Sequence, residues 1–60
     1  MQVIHIVTDN RKSKLYFKKY LNAIKKYYEL KDKAKQDDSI LINERYVEDE
    51  EYNSYTFTDN

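Results

Sequence analysis

The sequence predicts a small α+β domain, a three-stranded sheet with one long amphipathic helix packed on one face, in the order β-α-β-β. Three observations predict it. A β-branched run occupies 2–8, a stretch with helical spacing of apolar residues and no Gly or Pro occupies 13–36, and two strand-like runs follow at 39–47 and 52–58. The chain of 60 residues is one domain, 1–60. A domain of that size buries only about 60% of the surface its unfolded chain exposes. There is no Cys, so a disulfide is excluded, and the lone His5 cannot build the usual structural zinc site. Stability therefore falls to the aromatic residues, seven Tyr and two Phe, or to a partner.

In the first run, Ile4 and Ile6 lie on one face and Val3, His5 and Val7 on the other, the pattern of a strand at least partly covered on both sides. Thr8-Asp9-Asn10 supplies a turn. A helix is expected next, with Asp9 or Ser13 as its N-cap. At 100° per residue, Tyr16, Phe17, Tyr20, Leu21, Ala23, Ile24, Tyr27, Tyr28 and Leu30 cover half the cylinder, with Tyr20, Ile24 and Tyr27 central. Lys14, Lys18, Lys19, Lys25 and Lys26 fill the opposite side. Lys31 interrupts the apolar arc, so burial is expected to end near Leu30, and the pattern does not decide whether 31–38 stays helical.

The runs 39–47 and 52–58 form a hairpin if Glu48–Glu51 is its loop. Val47 then faces Tyr52, Glu44 faces Tyr55 and Ile42 faces Phe57. Ile40, Ile42, Tyr46, Tyr55 and Phe57 share the helix-facing side. The alternative is a short helix across Glu44–Tyr52. One helix covers one face, which leaves Val3, His5, Val7, Leu41, Val47 and Tyr52 on a face open to a partner.

Net charge is zero, but its signs are separated along the chain. Asn10 to Tyr28 carries seven basic residues and no acid; Asp37 to Asn60 carries eight acids and one base, Arg45. Such asymmetry points to partners more than to fold. The hairpin residues Glu44, Tyr46, Glu48, Asp49, Glu50, Glu51 and Tyr52 form a candidate protein-binding surface, in which carboxylates on a rigid sheet imitate the phosphates of a nucleic acid. The alternative is nucleic-acid binding by Lys14, Lys18, Lys19, Lys25 and Lys26. Its weakness is that a lysine face is the ordinary solvated side of an amphipathic helix. A third reading sets the basic face of one copy against the acidic hairpin of another, giving a homodimer or a self-assembling structural protein.

Catalysis finds little support. No Gly-rich loop exists to cradle phosphate, and His5 sits within an apolar run without a nucleophile beside it. A non-enzymatic chain without metal or cofactor is expected. No segment approaches the length of apolar residues that spans a membrane, and the start lacks a basic n-region and a cleavage site, so a cytoplasmic location is expected. No family motif stands at any position. The overall composition, rich in Lys, Asn, Tyr and Ile and free of Gly, Pro and Cys, is similar to that of small accessory proteins of phages and mobile elements from AT-rich genomes. That resemblance implies binding and inhibition of a host protein that handles nucleic acid.

Overall fold

In a computed structural model that describes residues 1–59, the elements run β1 (Gln2–Thr8), β2 (Lys14–Phe17), α1 (Tyr20–Lys33), β3 (Leu41–Val47) and α2 (Asp49–Ser54). The sheet has three strands in the order β2-β1-β3, and both outer strands run antiparallel to β1. The α+β class, the three-stranded sheet and the one long helix stand as the sequence predicts. The order of the elements does not.

The first correction concerns 13–36, which is not one helix. The chain turns back after β1, and Lys14–Phe17 pairs with it, Val7 opposite Leu15 and His5 opposite Phe17. Asp9 makes the turn. Its carboxylate accepts the Arg11 and Ser13 N–H groups, each at 2.9 Å, while its carbonyl accepts the Lys12 N–H at 3.0 Å. Lys12 takes the left-handed conformation, φ 65°, that a glycine would occupy more easily. An Asp oxygen satisfies free N–H groups equally well at a helix start or in a tight turn, so Asp9 and Ser13 gave no warning of which it would be.

The helix proper begins seven residues late, at Tyr20, and ends at Lys33; residues 34–40 are not helical. Ala23, Tyr27, Leu30 and Ala34, spaced 4, 3 and 4 apart, pack with Val7, Leu15, Phe17, Ile40 and Ile42. The inner stripe is therefore centred on Ala23 and Tyr27. Ile24 is half-buried and Tyr20, although it touches His5, is 54% exposed. Ala23 is fully buried, and its small side chain lets α1 lie close to the sheet.

The second correction concerns 52–58, which is not a strand beside β3. Instead β3 pairs with β1 along its whole length, Gln2 opposite Val47 through Thr8 opposite Leu41. Asp49–Ser54 forms the short helix α2. Asp49, Glu50 and Glu51 all fall in its first turn, where negative charge is favoured by the helix dipole. Beyond α2 the chain crosses the face of β1 opposite α1. Phe57 forms a single parallel bridge with Tyr16, and the Thr58 N–H donates to the Tyr16 carbonyl at 2.8 Å. Ile4, Val47 and Phe57 make a second buried cluster there, packed with Ile6, Tyr16, Tyr52 and Tyr55.

This arrangement also overturns the expected open sheet face. Val3, His5 and Val7 lie on the α1 side, and the C-terminal segment covers the other. Tyr55 and Phe57 pack on the side opposite Ile40 and Ile42, not beside them. The Ile4 and Ile6 surface of β1 has to leave water, and the aromatics at 52, 55 and 57 cover it.

Asp59 ends the described chain at the start of α1. Lys19, the N-cap, offers no capping side chain. The Asp59 carboxylate accepts the Lys18 N–H at 2.8 Å, the Lys19 N–H at 3.0 Å and the Asn22 amide at 2.9 Å. Burial by itself raises its pKa, but the Asn22 amide and the N–H groups of Lys18, Lys19 and Asp59 itself outweigh it and hold the carboxyl below its usual value.

Two outcomes are expected. Phe57→Ala empties the second cluster and lowers the unfolding free energy by about 3–5 kcal/mol, whereas exposed Thr56→Ala changes it by less than about 0.5 kcal/mol, both read by urea denaturation. Asp59→Asn costs about 1 kcal/mol at neutral pH, the usual worth of a capping carboxylate. Because the folded carboxyl is depressed, its contribution is complete above the unfolded value near pH ~4 and fades as pH falls through the folded one. The variant's stability should consequently fall less steeply than the parent's as the pH drops below about 4.

Candidate functional site

Strand alternation places Ile42, Glu44 and Tyr46 of β3 on the α1 side of the sheet, opposite Val7, His5 and Val3 of β1. The helix starts too late to cover all of them. Its first residue, Tyr20, stands edge-on to His5, with ring centroids 5.5 Å apart, and nothing of α1 lies beyond it. Tyr46 is left 64% exposed. Between Tyr20 and β3 the same shortfall opens a cleft of about 300 Å³ lined by His5, Tyr20, Ile42, Asn43 and Glu44.

His5 is only 8% exposed, yet it lines this cleft. It has no hydrogen-bond partner among the described residues, and neither ring nitrogen is sealed from solvent. The sequence did not single out this group of residues. The period-2 pattern of Val3, His5 and Val7 could have placed His5 on one side of β1, but nothing in it could have set Tyr20 and Glu44 beside it.

The predicted acidic surface is only partly assembled. Glu44, Tyr46, Glu48, Asp49 and Glu50 are exposed at the end of β3 and the start of α2. Glu51 and Tyr52 are half-buried. The Glu51 carboxylate accepts the Tyr55 hydroxyl at 2.9 Å and pairs with Arg45 at 3.3 Å, and Tyr52 packs on Phe57 at 4.9 Å. These two side chains hold α2 on the sheet. The Glu51 hydrogen bond, which a phenolate could not donate, is the chief reason the Tyr55 pKa is raised above 10.0; partial burial adds to it and Arg45 opposes it.

The predicted lysine face is not assembled. Lys14 belongs to β2, and Lys18 and Lys19 form the corner before α1, with the Lys18 ammonium 5.5 Å from the centre of the Phe57 ring. Only Lys25 and Lys26 are helical, and Lys26 pairs with Glu29 at 3.5 Å. The separation of sign along the chain is lost over much of the surface. Asp59 sits at Lys18 and Lys19, Arg45 joins Glu51, and a cleft at the β1–β2 turn mixes Asp9, Asp37 and Asp38 with Arg11, Lys33 and Lys35. The corner of Glu44, Glu48, Asp49 and Glu50 keeps a single sign.

Among the described residues no group of three or more His, Cys, Asp or Glu side chains could hold a metal ion, and no helix is long and apolar enough to cross a membrane. No protein-family model matches the chain, and comparison with the curated proteins and with the solved structures finds no match.

In an ultraviolet titration one tyrosine should ionise later than an ordinary phenol. Tyr55→Phe should remove that late step, and Glu51→Gln should bring it back toward 10.0, since the main cause is gone. A late step that survives Tyr55→Phe would disprove the assignment.

Proposed function

We propose that this chain is a non-enzymatic binding module that recognises a basic surface on another protein through the β3–α2 corner. The observation that carries the reading is the exposure of Glu44, Tyr46, Glu48, Asp49 and Glu50 on one corner, where none of the ion pairs among the described residues involves them, while acids elsewhere are paired or mixed with bases. Carboxylates of one sign steer a basic partner into contact and reject an acidic one. Tyr46 adds a broad, stiff contact with a hydroxyl at its tip, the kind of side chain on which interfaces anchor. Basic grooves that hold nucleic acid are surfaces of the matching chemistry, and a module of this kind would compete for them.

The reading is tested by binding of a lysine- and arginine-rich protein surface, with random-sequence duplex DNA measured in parallel. Saturable binding of the basic protein, weakened at least tenfold by the triple substitution Glu48→Gln, Asp49→Asn and Glu50→Gln and by a rise from 50 to 500 mM salt, is expected. Those three side chains are exposed, so the variant should keep its fold, checked by circular dichroism. DNA binding that the triple substitution leaves alone and that charge removal at Lys18, Lys19, Lys25 and Lys26 abolishes would replace this reading with the nucleic-acid one.

A further inference from the structure

The two edges of the sheet are treated differently. On β2 the C-terminal segment occupies the edge, through the Phe57 bridge and the Thr58 hydrogen bond to Tyr16. On β3 no strand pairs with the outer edge among the described residues. Natural sheets blunt such an edge with a short strand, a Pro, charged side chains or a bulge. β3, Leu41-Ile42-Asn43-Glu44-Arg45-Tyr46-Val47, carries the charges of Glu44 and Arg45, but it is seven residues long, has no Pro or Lys, and its register with β1 is unbroken. The Glu44 N–H is accepted by the Asn43 side chain at 2.9 Å, a local bond that the carbonyl of an added strand can replace.

We infer that β3 is a docking edge for an extended segment of the partner protein, which adds to the sheet as a fourth strand and places an Arg or Lys opposite Glu44. The inference rests on the protein-binding reading above and specifies its mode. The edge supplies main-chain hydrogen bonds; the cleft supplies selectivity. A side chain of the added strand opposite Glu44, on the α1 side, meets the cleft of His5, Tyr20 and Glu44. Among the described residues, Glu44 is the one charged side chain lining it. A guanidinium or ammonium there can donate to the carboxylate and to an accepting ring nitrogen of His5, and the Tyr20 ring beside it attracts a cation. An acidic side chain would meet only the Glu44 charge. On the opposite side of the strand Arg45 already has Glu51, so it demands no counter-ion from the partner. The neighbours at plus and minus two would lie beside Ile42 and Tyr46 and are best apolar.

A second copy of the chain suits this edge poorly. In a continuous sheet, residues that face each other lie on the same side, so a two-fold pairing of β3 with itself can only match even with even or odd with odd positions. Glu44 can then never meet Arg45. A pairing centred on residue 44 opposes two carboxylates, one centred on residue 45 opposes two guanidinium groups, and one centred on residue 43 leaves Glu44 against Ile42.

The probe is the pentapeptide acetyl-Val-Thr-Arg-Thr-Val-amide, titrated into the full chain and followed by amide chemical shifts. Expected are saturable shifts along 41–47 with little change along 14–17, loss of binding when the Arg is replaced by Glu, and loss again when the peptide N–H groups that face β3 are methylated. Glu44→Gln, an exposed and nearly isosteric change, should weaken the Arg peptide about tenfold. Binding that methylation leaves intact and that shifts only 48–50 would overturn strand addition while preserving the acidic-surface reading. Failure of every basic probe, this peptide and the basic protein alike, would overturn both. A concentration-dependent doubling of mass with shifts along 41–47 would give the edge to a second copy and overturn the inference.

Discussion

Ile4 and Val7 point to opposite faces of β1, and both are completely buried, so the central strand must be covered from two sides. A chain of 60 residues has one helix long enough to do this on one side, and the rest of the fold follows from how the second side is closed. The C-terminal residues supply the cover with Tyr52, Tyr55 and Phe57, tilted against one another and against Tyr16 at centroid distances of 4.7–6.2 Å. Aromatic side chains bury large areas with few rotors, which lets a short irregular segment act as a layer. In the absence of disulfides, this layer ties residues 52–59 to β1, β2 and the start of α1.

The same closure creates the asymmetry on which function is argued. The segment that covers the second face also occupies the β2 edge and supplies the missing cap of α1 through Asp59. It does not reach the β3 edge. α1 begins at Tyr20 because 14–17 is taken up by β2, and a helix starting there stops short of Val3 and Tyr46. The cleft beside His5, the exposed Tyr46 and the free β3 edge are thus consequences of one event, the return of the chain at Asp9 to form a hairpin where the periodicity predicts a helix.

That event was hard to read. Tyr16, Phe17, Tyr20 and Leu21 satisfy a helical stripe, while Leu15, Tyr16 and Phe17 equally suit a short strand covered on both faces, and four residues are too few to tell the two apart. No Gly marks the turn, since Lys12 takes the left-handed position itself. The aromatic pair at 16 and 17 was the available hint, as such residues favour strands. At the other end, the acids at 48–51 pass for a polar loop and equally suit a helix's first turn. Of the acidic surface, Glu48, Asp49 and Glu50 were legible as exposed, whereas the expected hairpin register put Tyr46 on the helix-facing side. That Glu51 and Tyr52 are half-buried was not legible, because their partners Arg45, Tyr55 and Phe57 meet them only after α2 folds onto the sheet.

By itself the sequence determined which groups must leave water and which must stay in it: both faces of 2–8, one stripe of the helix, the aromatics near the C-terminal end, and the carboxylates at 44 and 48–50. It also determined the class, since one strand-forming run, one long helical run and further β-rich segments admit little besides a sheet with a helix on it. Only the tertiary structure decided what each buried group meets. Periodicity is a property of neighbours in the chain, whereas the decisive contacts join residues far apart, as when Asp59 caps a helix that starts about 40 positions earlier. Burial demands a partner without naming one, and the choice falls to whichever packing removes the most apolar surface while leaving every buried N–H and carbonyl paired.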